Sequence, residues 1–247
     1  MNILAKNLRY WTRDRLGHSR LGYRLLGRTD QFRHRRVRED TAILIDGFPR
    51  SGNSFFLNYF RHWNPGVSAA HHMHVPQQLV EAARCSIPAV LLVREPVDAI
   101  ASVLVVEPMS ITIAVRSYAS YYEKACDYAA HCVVAEFDEV VETPGHVIDA
   151  VNQRFGSNFA PGVLDEALGE TLFEKLRRHH ISQDQQPGLV ATPDSAKRAR
   201  KTEVLGVLER HPDLARARSA FERFRMLGRS MRAVAATNGE SSGVTKS

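Results

Sequence analysis

Thr41-Ala-Ile-Leu-Ile-Asp-Gly-Phe-Pro-Arg-Ser-Gly-Asn-Ser-Phe55 is the stretch from which the fold is read. Its first six residues form a short, nearly continuous apolar run, the pattern of a parallel strand buried on both faces. Gly47-Phe-Pro-Arg-Ser-Gly52 is a turn. From Asn53 to Trp63 the apolar residues Phe55, Phe56, Tyr59, Phe60 and Trp63 follow helical spacing. Strand, turn and helix make one βα unit, and the unit recurs. Val67–Ala70 reads as a second, short strand, His71–Pro76 as its exit loop and Gln77–Cys85 as a helix. Pro88–Val93 is another buried strand, followed by a turn at Arg94–Pro96 and a helix over Val97–Val106 with Pro96 in its first turn. Cys132–Ala135 completes the strands. Ser110–Ala130, Thr143–Phe155, Val163–His179, Lys197–Arg210 and Asp213–Leu227 read as helices, and the Gln- and Pro-rich Ser182–Ser195 as a loop that could form a lid. The alternation predicts a three-layer α/β fold with a central parallel sheet flanked by helices.

The 247 residues suit one domain over 41–235, preceded by a basic extension over 1–40 and followed by a disordered tail over 236–247. With 44% hydrophobic residues, wholesale disorder is excluded. Three cysteines (Cys85, Cys126, Cys132) cannot build a disulfide framework and form no CxxC pair, so no metal site is expected. The apolar stretches Ala89–Val93 and Ala99–Val106 fall far short of the roughly 20 residues that span a bilayer. The N-terminus lacks the apolar core of a secretory signal, and the expectation is a cytoplasmic protein with reduced thiols. Charge is uneven. Residues 1–38 carry Lys6 and ten arginines against Asp14 and Asp30, a net +9 within an overall +6. Two readings of this segment stay open. One is a helix packed on the core; the other is docking on an anionic surface, peripheral membrane contact above all. No nucleic acid is expected as a partner.

Ligands of doubly wound sheets bind beyond the carboxyl ends of the strands. There the segment 47–54 has the spacing GxxxxGK[ST] of a phosphate-binding loop, with Asn53 where the lysine should be. Glycines let backbone N–H groups approach an anion, and the helix N-terminus adds unpaired N–H groups and its dipole. The missing lysine argues against an ordinary ATP or GTP hydrolase, and Arg50 could supply the lost cation. A second rim residue, Arg94, ends the strand Pro88–Val93. Ser102 follows two helical turns later, and Asp98 could brace the turn between them.

Taken together, these segments resemble the sulfotransferases that use 3′-phosphoadenosine-5′-phosphosulfate (PAPS). Pro49-Arg-Ser-Gly-Asn-Ser-Phe55 is similar to their PKSGTTW loop, Arg94-Glu-Pro-Val-Asp-Ala-Ile-Ala-Ser102 to their RDPxDxxxS motif, and His72-Met-His-Val-Pro76 to KTHLP. Glu136-Phe-Asp-Glu-Val140, with Thr143-Pro144 beyond it, is similar to the YEDL strand exit. The four occur in family order over residues 41–144. The resemblance implies a P-loop-type α/β fold and PAPS as donor co-substrate, with no metal. It implies a hydroxyl-bearing acceptor (carbohydrate, lipid or small molecule) or an amine. Residue by residue, it places Arg50 against the transferred group and Ser51, Gly52, Asn53 and Ser54 in the 5′-phosphosulfate cradle. Phe55 takes the place of an adenine-stacking tryptophan, and Arg94 and Ser102 fall at the donor's 3′-phosphate. Phe137 replaces the YEDL tyrosine. The family's C-terminal RKG-type loop is absent as written; Arg198 and Lys201 belong to the nearest basic cluster, and a solvated helix face is the other reading of it.

The resemblance also points to His74 as the general base and sets His72 near the transferred group. From the residues alone, the cluster of His71, His72 and His74 could equally be structural or metal-binding, and Glu81 and Glu107 are alternative bases. Two further classes of function stay in play: an ATP-using phosphotransferase of P-loop fold, and a non-catalytic anion- or surface-binding module.

Overall fold

A computed structural model describes residues 3–107, 109–182 and 195–241. The elements in chain order are α1 (Ile3–Gly17), α2 (Arg20–Leu26), β1 (Ile43–Gly47), α3 (Asn53–Trp63), β2 (Ala69–His71) and α4 (Gln77–Arg84). There follow β3 (Ala89–Val93), α5 (Pro96–Val106), α6 (Ile111–Cys126), a 3-10 turn at Ala129–His131, β4 (Val133–Glu136) and α7 (Phe137–Glu142). The chain ends with α8 (Pro144–Phe155), α9 (Glu166–Ser182), α10 (Ser195–Leu208) and α11 (Leu214–Ser241). Most of the lid segment Ser182–Ser195 and the last six residues of the tail, 242–247, lie outside the described residues.

The four strands form an all-parallel sheet in the order β2-β1-β3-β4. Successive strand side chains point to opposite faces, and the two cores divide them accordingly. Leu44, Leu91, Val93 and Val134 pack with α4, α5, α6, α10 and α11. Ile43, Ile45, Val90, Leu92, Val133 and Ala135 pack with α3, α8 and α9. Because both faces are covered, the strand sequences are apolar without alternation. The three-layer α/β expectation is met at this level.

The chain runs from β1 out to β2, then returns across β1 to β3. The helices leaving β1 and β3 pack on opposite faces, which opens a crevice at the carboxyl ends of these two strands.

The N-terminal segment is part of this body rather than an appendage. A Cβ on Gly17 would lie 2.4 Å from Val75 Cγ1, and one on Gly22 would lie 2.3 Å from the Leu16 carbonyl oxygen. Tyr23, Phe32, Met73 and Val75 form a small third core that ties residues 23–32 to the exit of β2. Of the two readings of the basic segment, packing on the core is therefore realised for its inner face. At the other end α11 continues to Ser241, so the stretch expected as a disordered tail from residue 236 is helical up to that point. Ala233, Ala235 and Ala236 are good helix formers, and polar composition alone hid the continuation.

Candidate anion-binding site

The turn between β1 and α3 is built around two glycines. A Cβ on Gly47 would lie 2.4 Å from the Leu92 carbonyl oxygen of β3 and 3.2 Å from Asn53 Oδ1. Gly52 adopts φ 89°, a left-handed conformation, as it caps α3. Gly47→Ala should therefore push β1 from β3 and lower stability by about 1–3 kcal/mol, the usual range for overpacking; urea unfolding measures it. Within the turn, Phe48 N–H donates to Tyr122 OH (3.3 Å) and Ser51 N–H to the Phe48 carbonyl (3.3 Å). Asn53 Nδ2 donates to the same carbonyl at 2.9 Å. Among the described residues, the N–H groups of Arg50, Gly52, Asn53, Ser54 and Phe55 make no hydrogen bond. Unused donors on a turn and the first turn of a helix are the means by which backbone binds oxyanions.

Two arginines face this cradle. Arg50 has φ 69°, and its Nε donates to Ser102 Oγ at 3.0 Å. Arg94 leaves the end of β3, its Nη1 donates to the Arg50 carbonyl at 3.1 Å, and its guanidinium lies 4.0 Å above the Phe137 ring. From α6, Tyr118 OH donates to the Arg94 carbonyl (2.5 Å), and one turn on Tyr122 OH donates to the Leu92 carbonyl (2.7 Å) while accepting from Phe48 N–H, so a single helix holds the exits of β3 and β1. Neither arginine forms an ion pair among the described residues. Burial lowers the pKa of both, and the charge of Arg94 lowers that of Arg50 further. Asp98, Asp138 and Glu95 offset this for Arg94, as Glu107 and Tyr10 do for Arg50. Two half-buried like charges on one rim raise the energy of the folded chain, and a bound anion would relieve it.

The exit of β2 folds over the same edge. His72 and His74 have φ 51° and 53°; with Arg50 they are three of the four non-glycine residues at positive φ among the described residues. Backbone held in that region is strained and collects at functional sites. His74 Nδ1 donates to the Gly47 carbonyl at 2.7 Å and lies 3.2 Å from Asp46 Oδ1. A carbonyl only accepts, so Nδ1 carries a proton, and no hydrogen bond engages Nε2 among the described residues. Asp46 is fully buried at the end of β1. It accepts from Gly47 N–H (3.0 Å), His74 N–H (3.1 Å) and Gln78 Nε2 (3.1 Å).

His72 is placed differently, for both of its ring nitrogens are hydrogen-bonded: Nε2 to Ser54 Oγ (2.8 Å) and Nδ1 to His71 Nδ1 (2.9 Å). Burial pushes His72 well below the usual imidazole range. Burial, then Arg61, pushes His71 down to about 4. The unfolded chain thus takes up these protons at higher pH than the folded one. Stability from this pair is complete above pH 6.5 and lost as pH falls toward 4. The His71 part corresponds to roughly 3 kcal/mol in full, and melting from pH 7.5 to 4.5 should show most of that drop, which His71→Gln flattens. Among the described residues no group of three His, Cys, Asp or Glu side chains is arranged to hold a metal ion.

The structure thus brings Arg50, Gly52, Ser54, His72, His74, Arg94 and Ser102 to one edge. Other expected contacts are redirected. Phe55 is 4% exposed and packs on Phe173 of α9, with ring centroids 5.2 Å apart, so its ring is turned into the core rather than toward a base. Ser51 is fully buried with its hydroxyl beside Tyr122, and Asn53 points inward with its Nδ2 on Phe48, so both side chains turn away from solvent and the Asn53 N–H group is what the pair offers the rim. Lys201 Nζ is tied to Asp98 Oδ1 at 2.6 Å, over the first turn of α5 and beside the rim. The side chain of Arg198 lies outside the described residues. Asp46, Gln78, Tyr118 and Tyr122 are the supporting residues that motif reading did not single out. A charged residue closing an apolar strand was the available signal for Asp46. Comparison with protein-family models, with curated proteins and with solved structures finds no match.

Proposed function

We propose that this protein moves a sulfuryl group from PAPS to a hydroxyl or amine acceptor, on a fold of P-loop type. One observation carries the reading: among the described residues, the guanidinium groups of Arg50 and Arg94 form no ion pair and adjoin the unused N–H groups of Arg50 and Gly52 to Phe55, at the β1–β3 crevice. The donor offers a phosphosulfate at one end and a 3′-phosphate at the other. The free N–H groups of Gly52 to Phe55 suit the first, Arg94 with Ser102 suits the second, and Arg50 stands between them. The inward-turned Asn53 puts no ammonium in the loop, which favours this donor over ATP. The four-segment resemblance names the nucleotide; no residue is assigned to its adenine.

In the transfer, an acceptor oxygen forms a bond to sulfur while the bond from sulfur to the bridging oxygen breaks. The acceptor proton passes to His74 Nε2, and adenosine 3′,5′-bisphosphate leaves with the charge that grows on its phosphate. A positioned base is worth about 10²–10⁴-fold. Arg50 and the loop N–H groups stabilise the leaving charge. His72 acts as a positioning residue that holds Ser54 and the β2 exit over the loop.

Calorimetric titration with adenosine 3′,5′-bisphosphate tests the site. Heat with one-to-one stoichiometry is expected, and Arg94→Ala should abolish it at the same concentrations. A folded protein that gives no heat with the bisphosphate, or that is stabilised against melting by Mg-ATP instead, would overturn the reading.

A further inference from the structure

The inner faces of α1 and α2 are accounted for by the fold. Asn7 accepts from Ser110 N–H (2.9 Å), Asp14 accepts from Ser120 Oγ (3.3 Å), Tyr10 and Tyr23 are buried, and Gly17 abuts Val75. Their outer residues are not. Leu8 is 62% exposed and Trp11 51%, three residues apart on α1; Leu21 is 71% exposed and Leu25 46%, four apart on α2. Each pair is neighbouring on one helix face. Large apolar side chains exposed in adjacent pairs on two packed helices mark a contact surface.

The charge around them selects the occupant. Arg15 lies over the Trp11 ring at 5.4 Å, and Arg20, Arg24 and Arg28 interleave with and follow the leucines of α2. Arg24 and Arg28 form no ion pair among the described residues. The two acids within the +9 segment are engaged locally, Asp14 with His18 (3.6 Å) and Asp30 with Arg33 (3.3 Å). A nucleic acid would use the arginines and leave the leucines in water. Exposed leucine or tryptophan beside arginine on each of two packed helices matches a bilayer interface, where apolar residues enter the acyl boundary and arginines reach the headgroups. None of the described helices is long and apolar enough to cross a membrane, so the contact lies in the plane of the surface.

We infer that α1 and α2 dock this protein onto a bilayer rich in anionic lipid, through Leu8, Trp11, Leu21 and Leu25 with the arginines beside them. The inference is independent of the sulfuryl-transfer reading, since it uses none of the rim residues.

The test uses the full chain and sedimentation with vesicles of phosphatidylcholine, with and without phosphatidylserine. Binding is expected on the phosphatidylserine vesicles, declining with salt, with a blue shift of tryptophan fluorescence that Trp11→Phe removes. The doubly substituted variants Leu8→Asp/Trp11→Asp and Leu21→Asp/Leu25→Asp should each weaken partitioning at least about tenfold, with circular dichroism and bisphosphate binding unchanged because all four positions face solvent. No sedimentation with anionic vesicles at low salt would overturn the inference. So would equal binding by the Asp variants, which would assign the surface to charge alone and to a soluble polyanion such as RNA. A dimer in solution that the same substitutions dissolve, without vesicle binding, would assign it to a second copy of the chain.

Discussion

Arg50→Ala should lower kcat for the proposed sulfuryl transfer by roughly 10²–10³-fold, the usual loss when a preorganised donor to a developing oxyanion is removed. The effect should fall on kcat more than on donor affinity. In the proposed transfer, Arg94, Ser102 and the loop N–H groups would still hold the ground-state donor, whereas Arg50 would meet charge that appears only as the sulfur–oxygen bond breaks. Removing Arg50 also removes a like charge from beside Arg94, and burial with that repulsion already disfavours the Arg50 cation. The variant should therefore fold at least as stably as the parent in the absence of ligand. Arg94→Ala has the opposite signature. Its guanidinium braces the turn through the Arg50 carbonyl and rests on Phe137, so its loss should raise the donor KM steeply with a smaller change in kcat. Steady-state kinetics of the two variants, beside their melting temperatures, separate these roles. Equal effects on kcat and on donor KM in both variants would mean that the two arginines act only as one diffuse positive patch.

The adjacency of these arginines was not legible in the sequence, although each residue was. Apolar runs without alternation mark buried parallel strands, and β1 and β3 follow from them directly. Turn glycines, a helix-opening proline and the spacing of Phe55 to Trp63 fix the helices around them. Strand order is a different matter. It depends on which edge each crossover takes, and local sequence does not encode that choice. Only with β1 beside β3 does the Arg94 guanidinium reach the Arg50 carbonyl, which brings the two motifs to one rim. The direction of individual side chains was likewise hidden. Phe55 sits in a loop motif where a stacking ring is expected, yet its helix face is claimed by Phe173, far along the chain. Asp46 shows the converse. A carboxylate at the end of an apolar strand reads as a boundary marker, and its role emerges only when β2's exit folds back and presents His74.

Asp46→Asn is the substitution expected to reach furthest through the site, lowering kcat by about 10²–10⁴-fold while donor binding stays close to that of the parent. Asp46 touches neither the loop N–H groups left free for the donor nor Arg94 or Ser102. Its oxygens hold His74 by the backbone N–H and lie against the ring's Nδ1, and Gln78 secures the carboxylate from α4. In the proposed transfer, an anion there would stabilise the imidazolium formed when Nε2 takes the acceptor proton. Asparagine supplies no charge, and its amide N–H₂ would have to face donors on one side. That mismatch should also cost about 1–3 kcal/mol of stability, since a buried donor is left without an acceptor. A lower melting temperature alone therefore decides nothing about catalysis. The double-mutant cycle does. If Asp46 acts through the histidine, His74→Ala combined with Asp46→Asn should be no slower than His74→Ala alone, because the group being positioned is already gone. Independent, multiplying losses would instead make Asp46 a general scaffold of the β1 exit, and would return the choice of base to Glu81 or Glu107.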